Sequence, residues 1–218
     1  MDSRANDLYE ELAKDGESAI DRLIADRLSE QSWIEFKTVT TKPTSRSLEQ
    51  IDLNHLAKAI SGFGNSAGGL LIWGVDSPSD PNIAPTKKLI SDPASFATKL
   101  HDAVSKCTMP PHESVEHLPI VCKIGSDGFV ATFVRKSFRT PLQCWQGARY
   151  YYIRAGSSFE PTPHDVLAGM FGSRPQPEII EKWAIHARPS IRDLGGQRRQ
   201  DHAFCLRDGH RRHDQRCG

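Results

Sequence analysis

The run Gly68-Gly69-Leu70-Leu71-Ile72-Trp73-Gly74-Val75 is continuously apolar and bounded by glycines, and nothing else in the chain restricts its fold so strongly. A strand with no polar side reads as a central strand covered on both faces. The fold must therefore place other elements above and below it. Ahead of it, Leu53, Leu56, Ile60 and Phe63 recur at helical spacing, and Ser47-Leu48-Glu49-Gln50 has the spacing of a capping box that would start that helix. Gly64 or Asn65 is expected at positive φ in the tight turn between helix and strand.

Further upstream, Leu8, Leu12, Ile20, Leu23, Ile24 and Leu28 predict two short helices interrupted at Gly16. Ile34-Glu35-Phe36-Lys37 alternates like a half-buried strand, which puts Glu35 and Lys37 on one face about 7 Å apart. Downstream, Asp76 to Pro85 reads as a loop and Phe96, Leu100 and Val104 as a helix. His117–Ile124 and Phe129–Arg135 form a hairpin around Gly125-Ser126-Asp127-Gly128. Tyr150–Arg154 gives one more strand, and Thr162-Pro163-His164-Asp165 opens a helix through Phe171. The fold class is α+β: a mixed β-sheet, with two βαβ-like crossovers followed by antiparallel strands, flanked by helices.

With 218 residues, the chain divides into an N-terminal helical extension (1–19), a main domain (20–172) and a C-terminal extension (173–218). The last is expected to be poorly ordered, since apolar periodicity fades there. It concentrates Arg198, Arg199, Arg207, Arg211, Arg212 and Arg216, so a net charge of +1 conceals a basic tail. The chain has no run long and apolar enough to span a membrane and no leader, which points to a cytoplasmic protein. Five cysteines without a Cys-x-x-Cys pair argue against a disulfide framework and against zinc, and the scattered histidines add no zinc site.

Glu30 and Glu35 are either two solvated acids or a converging pair; spacing alone allows both. Asp76, at the end of the buried strand, lies where open sheets place ligands. Three carboxylates meeting there would need a cation, with Mg2+ or Mn2+ the natural choice, and Lys37 could then hold a phosphate oxygen. Gly62 to Gly69 is not a P-loop, because the helix precedes the glycines and no Gly-Lys-Ser/Thr occurs, so ATP is not expected. Arg149, Tyr152 and Arg154, extended by Arg135, Lys136 and Arg139, make a basic and aromatic edge suited to nucleic acid. A half-buried strand accounts for much of the same pattern.

These motifs resemble those of the Schlafen AlbA-type domain family. Its Glu-Ser-x-x-x-Glu-Phe-Lys pattern matches Glu30 to Lys37, with Gln31 for Ser. Its Ala-Phe-Ala-Asn-x-x-Gly-Gly segment matches Gly62 to Gly69, with Gly62 and Gly64 for the alanines. Its Tyr-x-Arg-x-Gly-Ser segment matches Tyr152 to Ser157. The resemblance spans about residues 20 to 171 and implies nucleic-acid binding. In animal Schlafens two such lobes form a horseshoe that cleaves tRNA with two glutamates and an aspartate. Carried over, Glu30, Glu35 and Asp76 would hold Mg2+ or Mn2+ and Lys37 would assist, giving an endonuclease with RNA favoured over DNA and a homodimer restoring the horseshoe. The alternative is a non-catalytic DNA-binding or regulatory module.

Overall fold

A computed structural model of the chain describes residues 3–27, 30–78 and 83–172, all within one unit, Met1–Pro175. The C-terminal extension expected over 173–218 lies outside the described residues. In chain order the elements are α1 (Ser3–Asp15), α2 (Glu17–Ala25), β1 (Ile34–Lys37), α3 (Gln50–Gly64), β2 (Gly69–Trp73), β3 (Val75–Asp76), β4 (Thr86–Lys87) and α4 (Pro93–Ala103). Then follow β5 (Thr108–Met109), β6 (Val115–Val121), β7 (Gly128–Val134), β8 (Gln143–Cys144), β9 (Tyr152–Ala155), β10 (Ser158–Pro161) and α5 (His164–Gly172). None of the helices among the described residues is long and apolar enough to cross a membrane.

The main sheet has the order β1-β2-β7-β6. Every residue of β2 and of β7 is buried, as expected of inner strands. β1 pairs with β2 in parallel, setting Ile34 opposite Leu70 and Lys37 opposite Trp73. β2 is antiparallel to β7, and β7 to β6, so β6 runs parallel to β2. Both α3 and α4 are thus crossover connections, and the β6–β7 hairpin folds β7 back between β2 and β6. This is the α+β mixed sheet that the element order requires.

Alternation along β2 divides the core in two. Leu71 and Trp73 meet Leu56, Ile60 and Phe63 of α3 and Phe96 and Leu100 of α4. Leu70 and Ile72 face the other way, with Ile34, Phe36, Ala131 and Phe133, towards Ala5, Leu8 and Leu12 of α1 and Ile20 of α2. Tyr9 of α1 stacks on Phe133 with ring centroids 5.0 Å apart. Helices α1 and α2 pack on this face of the sheet and share its core. Each fully buried Leu or Ile on that face is worth about 1.5–3 kcal/mol.

Four local features depart from expectation. The capping box before α3 does not form: Glu49 precedes the helix with extended backbone and makes no side-chain cap. Asp52 in the first turn instead accepts from the backbone N–H groups of Thr40 and Thr41 and from both threonine hydroxyls, fixing the loop after β1. After α3, the residue at positive φ is Gly68 (φ 88), where an added Cβ would lie 2.9 Å from the Val134 carbonyl oxygen. Asn65 is right-handed helical (φ −78). Its buried amide donates to the carbonyls of Leu142 and Tyr152, both at 2.9 Å, and accepts from Leu142 N–H at 2.7 Å.

Gly74 (φ 97) breaks the apolar run, and β3 beyond it pairs with β4, opposing Asp76 to Thr86. Finally, β9 does not join the main sheet. It forms a hairpin with β10 that lies on α3, where Phe159 meets Phe63 edge-on at 5.0 Å. The antiparallel character of this last strand is as expected; its partner is not.

Candidate nucleic-acid interface

Glu35 alternates with Ile34 and Phe36 and so faces α3, where it is only 5% exposed, deeper than a half-buried strand implies. A carboxylate at that depth needs partners. One oxygen takes the Lys37 ammonium and the other the guanidinium of Arg154, delivered by β9. Arg154 spends its remaining donors on the carbonyls of Gln31, at 2.7 Å and 3.1 Å, and of Ile34, at 2.9 Å. Its plane is enclosed by the rings of Phe159, 4.4 Å away, and Phe63, 5.4 Å away. Glu30 is 3.6 Å from Lys37 Nζ and accepts from Phe36 N–H at 3.4 Å. Burial, then the neighbouring Glu35, pushes the Glu30 carboxyl above its usual range, with Lys37 pulling the other way.

These groups open into a cleft of about 300 Å³. Glu30, Glu35 and Lys37 form one wall, His55 and Lys58 of α3 another, and Ser157, Ser158 and Glu160 at the β9–β10 turn the third. Burial, with the nearby Lys37 cation adding to it, holds the His55 imidazole below its usual range, so it is neutral at pH 7. Its Nδ1 is buried without a hydrogen-bond partner. The Lys58 ammonium stands 5.0 Å from the centre of the Tyr152 ring.

The other expected site residues are distributed unevenly. Asp76 does not line this cleft, and among the described residues no group of three His, Cys, Asp or Glu side chains stands close enough to hold a metal ion. Glu30 and Glu35 are the expected acids that line the cleft, and both oxygens of Glu35 are already paired with cations. Arg154, placed on the basic edge by sequence, has a side chain only 1% exposed and offers nothing to a surface ligand. Tyr152 is buried too, beneath Lys58. Arg135 pairs with Glu116 at 2.7 Å and covers Phe133. Lys136 and Arg139 are exposed on the loop after β7, away from the cleft lining. Arg149 is exposed, its guanidinium 4.7 Å from the Trp145 ring.

Sequence reasoning missed His55 and Lys58. The available signal was their spacing on α3, three apart and offset from the buried Leu56 and Ile60, which puts both on the flank of the helix that overhangs β1.

No curated protein matches the sequence. Among solved structures, the DIP2311 protein from Corynebacterium diphtheriae is similar with a TM-score of 0.44 at 13% identity; the match covers 75% of this chain and 29% of that one. The chain thus spans under a third of that structure. The family model described as "Schlafen, AlbA_2" matches residues 30–163, more than half of the chain. That stretch begins at Glu30, takes in the glycine turn and central strand, and closes after the hairpin that carries Arg154. By this match, the chain belongs to the Schlafen AlbA_2 family.

Proposed function

We propose that this chain binds nucleic acid at the cleft between β1, α3 and the β9–β10 hairpin, with RNA favoured. The observation that carries the reading is the convergence of Lys37 and Lys58 with the hydroxyl-bearing Ser157 and Ser158 on one concave surface. Ammonium groups and hydroxyls are the usual partners of phosphate oxygens, and family membership points to the same ligand. A cytoplasmic setting belongs to the proposal; Cys107, Cys122 and Cys144 are free thiols.

The test is a titration of labelled RNA and DNA oligonucleotides against salt. Lys37→Ala and Lys58→Ala should each weaken binding several-fold and reduce the log–log salt slope by about 1. Absence of binding, or binding indifferent to both substitutions, would overturn the reading.

A finer reading adds cleavage of RNA such as tRNA, assisted by Mg2+ or Mn2+ at Glu30, Glu35 and Asp76, in a homodimer. What supports it is that Glu30, Glu35 and Lys37 share the cleft. It requires a third acid to be brought to Glu30 and Glu35. Incubation of tRNA with the protein and Mn2+ tests it, using Glu30→Gln and Asp76→Asn, which leave the Glu35–Arg154 pair intact. Cleavage that persists in both variants would sink the nuclease reading and leave binding untouched.

A further inference from the structure

The turn that joins β8 to β9 has a geometry that the cleft alone does not account for. Trp33 and Trp73 are buried, yet Trp145 is 38% exposed and the adjacent Tyr150 is 53% exposed. Between them the backbone passes through the left-handed region twice, at Gly147 (φ 59) and at Arg149 (φ 55), a conformation that a long side chain rarely adopts. The turn is clamped in that shape from several sides. Gln143 Nε2 donates to the Arg149 carbonyl at 2.8 Å, Gln146 Nε2 to the Lys106 carbonyl at 2.9 Å, and Cys144 N–H to the Tyr150 carbonyl at 2.9 Å. Surrounding structure thus holds an exposed Trp, Arg and Tyr in a fixed arrangement.

From this turn, Tyr150 leads through the buried Tyr152 to Lys58 at the cleft. Arg149 lies 4.7 Å over the Trp145 ring, Tyr150 meets Tyr152 at 6.1 Å, and Tyr152 lies 5.0 Å below Lys58, which lines the cleft. No acidic residue occurs between Gln143 and Ser158. Gln50 and Asn54 on α3, hydrogen-bonded to each other at 2.8 Å, stand beside the turn and carry amide donors and acceptors of the kind that pair with base edges. Flat rings with a cation at each end of the row suit unstacked bases joined by a phosphate backbone. A duplex keeps its base faces inside and cannot use such a row.

We propose that the ligand of the cleft is single-stranded nucleic acid, its bases stacked on Trp145 and Tyr150 and its backbone held by Arg149 and Lys58. This rests on the nucleic-acid reading above and narrows it to one substrate class. The full chain is titrated with a fluorescent single-stranded oligoribonucleotide and with the same sequence as a duplex.

The single strand should bind about tenfold more tightly than the duplex. Trp145→Ala and Tyr150→Ala should each weaken it by about tenfold, while Tyr150→Phe, which keeps the ring, retains affinity. Phe138→Ala, at a ring 92% exposed but off this row, should change nothing. Equal affinity for duplex, or losses under about twofold in both alanine variants while Lys37→Ala and Lys58→Ala still weaken binding, would overturn the single-strand inference and spare the broader reading. Failure of every nucleic acid to bind would overturn both.

Discussion

Glu35 has two duties. It is an acid of the candidate site, and it is the counter-charge of a guanidinium that has no access to water. Removing one partner of such a pair leaves the other buried and uncompensated, at a cost of about 3–5 kcal/mol. Urea denaturation should therefore show Glu35→Gln and Arg154→Met each strongly destabilised, and the double variant should lose clearly less than the sum of the two. Additive losses would mean that the pair is not coupled. Loss of activity in Glu35→Ala would consequently say little about chemistry, whereas Glu30→Gln avoids this ambiguity. Spacing alone left Glu30 and Glu35 open between solvated and converging acids; the family pattern grouped them with Lys37, and all three line the cleft. Alternation assigned Arg154 to a side of its strand but not to a depth. Depth here is set by Phe159, opposite Arg154 on the other strand of its own hairpin, and by Phe63, which comes from α3, far away in sequence.

Among the elements, α3 shows how this chain has adjusted its packing. Gly62 stands where the family pattern has alanine, and a Cβ there would come within 2.2 Å of the Phe159 ring. Alanine in a helix interior gains about 0.5–1 kcal/mol over glycine, whereas overpacking a filled core costs about 1–3 kcal/mol, so overpacking decides the sign. Thermal unfolding should show Gly62→Ala destabilised, and Gly62→Ala with Phe159→Leu should recover part of the loss. A more stable Gly62→Ala would contradict the tight α3–β10 contact. Periodicity revealed α1, α2, α3, α4 and the β6–β7 hairpin, since each is a local pattern. It missed the departure of β9 from the sheet and the break at Gly74, since both follow from which strand is available as a neighbour. Asp76 was expected beside the glutamates for the same reason. A strand assumed to run straight carries its end to the sheet edge, whereas this one turns off to pair with β4.

For the molecule as a whole, the family match begins at Glu30, but the core begins at Ala5. A fragment of residues 30–172 would expose Ile34, Phe36, Leu70, Ile72 and Phe133 on an uncovered sheet face. It should bind a hydrophobic dye and lack a cooperative thermal transition, while residues 1–172 should melt cooperatively. A well-behaved shorter fragment would show that α1 and α2 are dispensable. The second core was legible only in part, because the helices were visible in the sequence but the face they cover was not. On the cleft side, the hairpin that carries Arg154 is joined to α3 through the Asn65 amide, whose oxygen and two N–H bonds are all committed to Leu142 and Tyr152. Hydrolysis of that amide, a common lesion of heated asparagine, would leave a carboxylate facing two carbonyl oxygens. The storage history of a preparation thus becomes a variable of the site, able to loosen the cleft in molecules whose gene is unchanged.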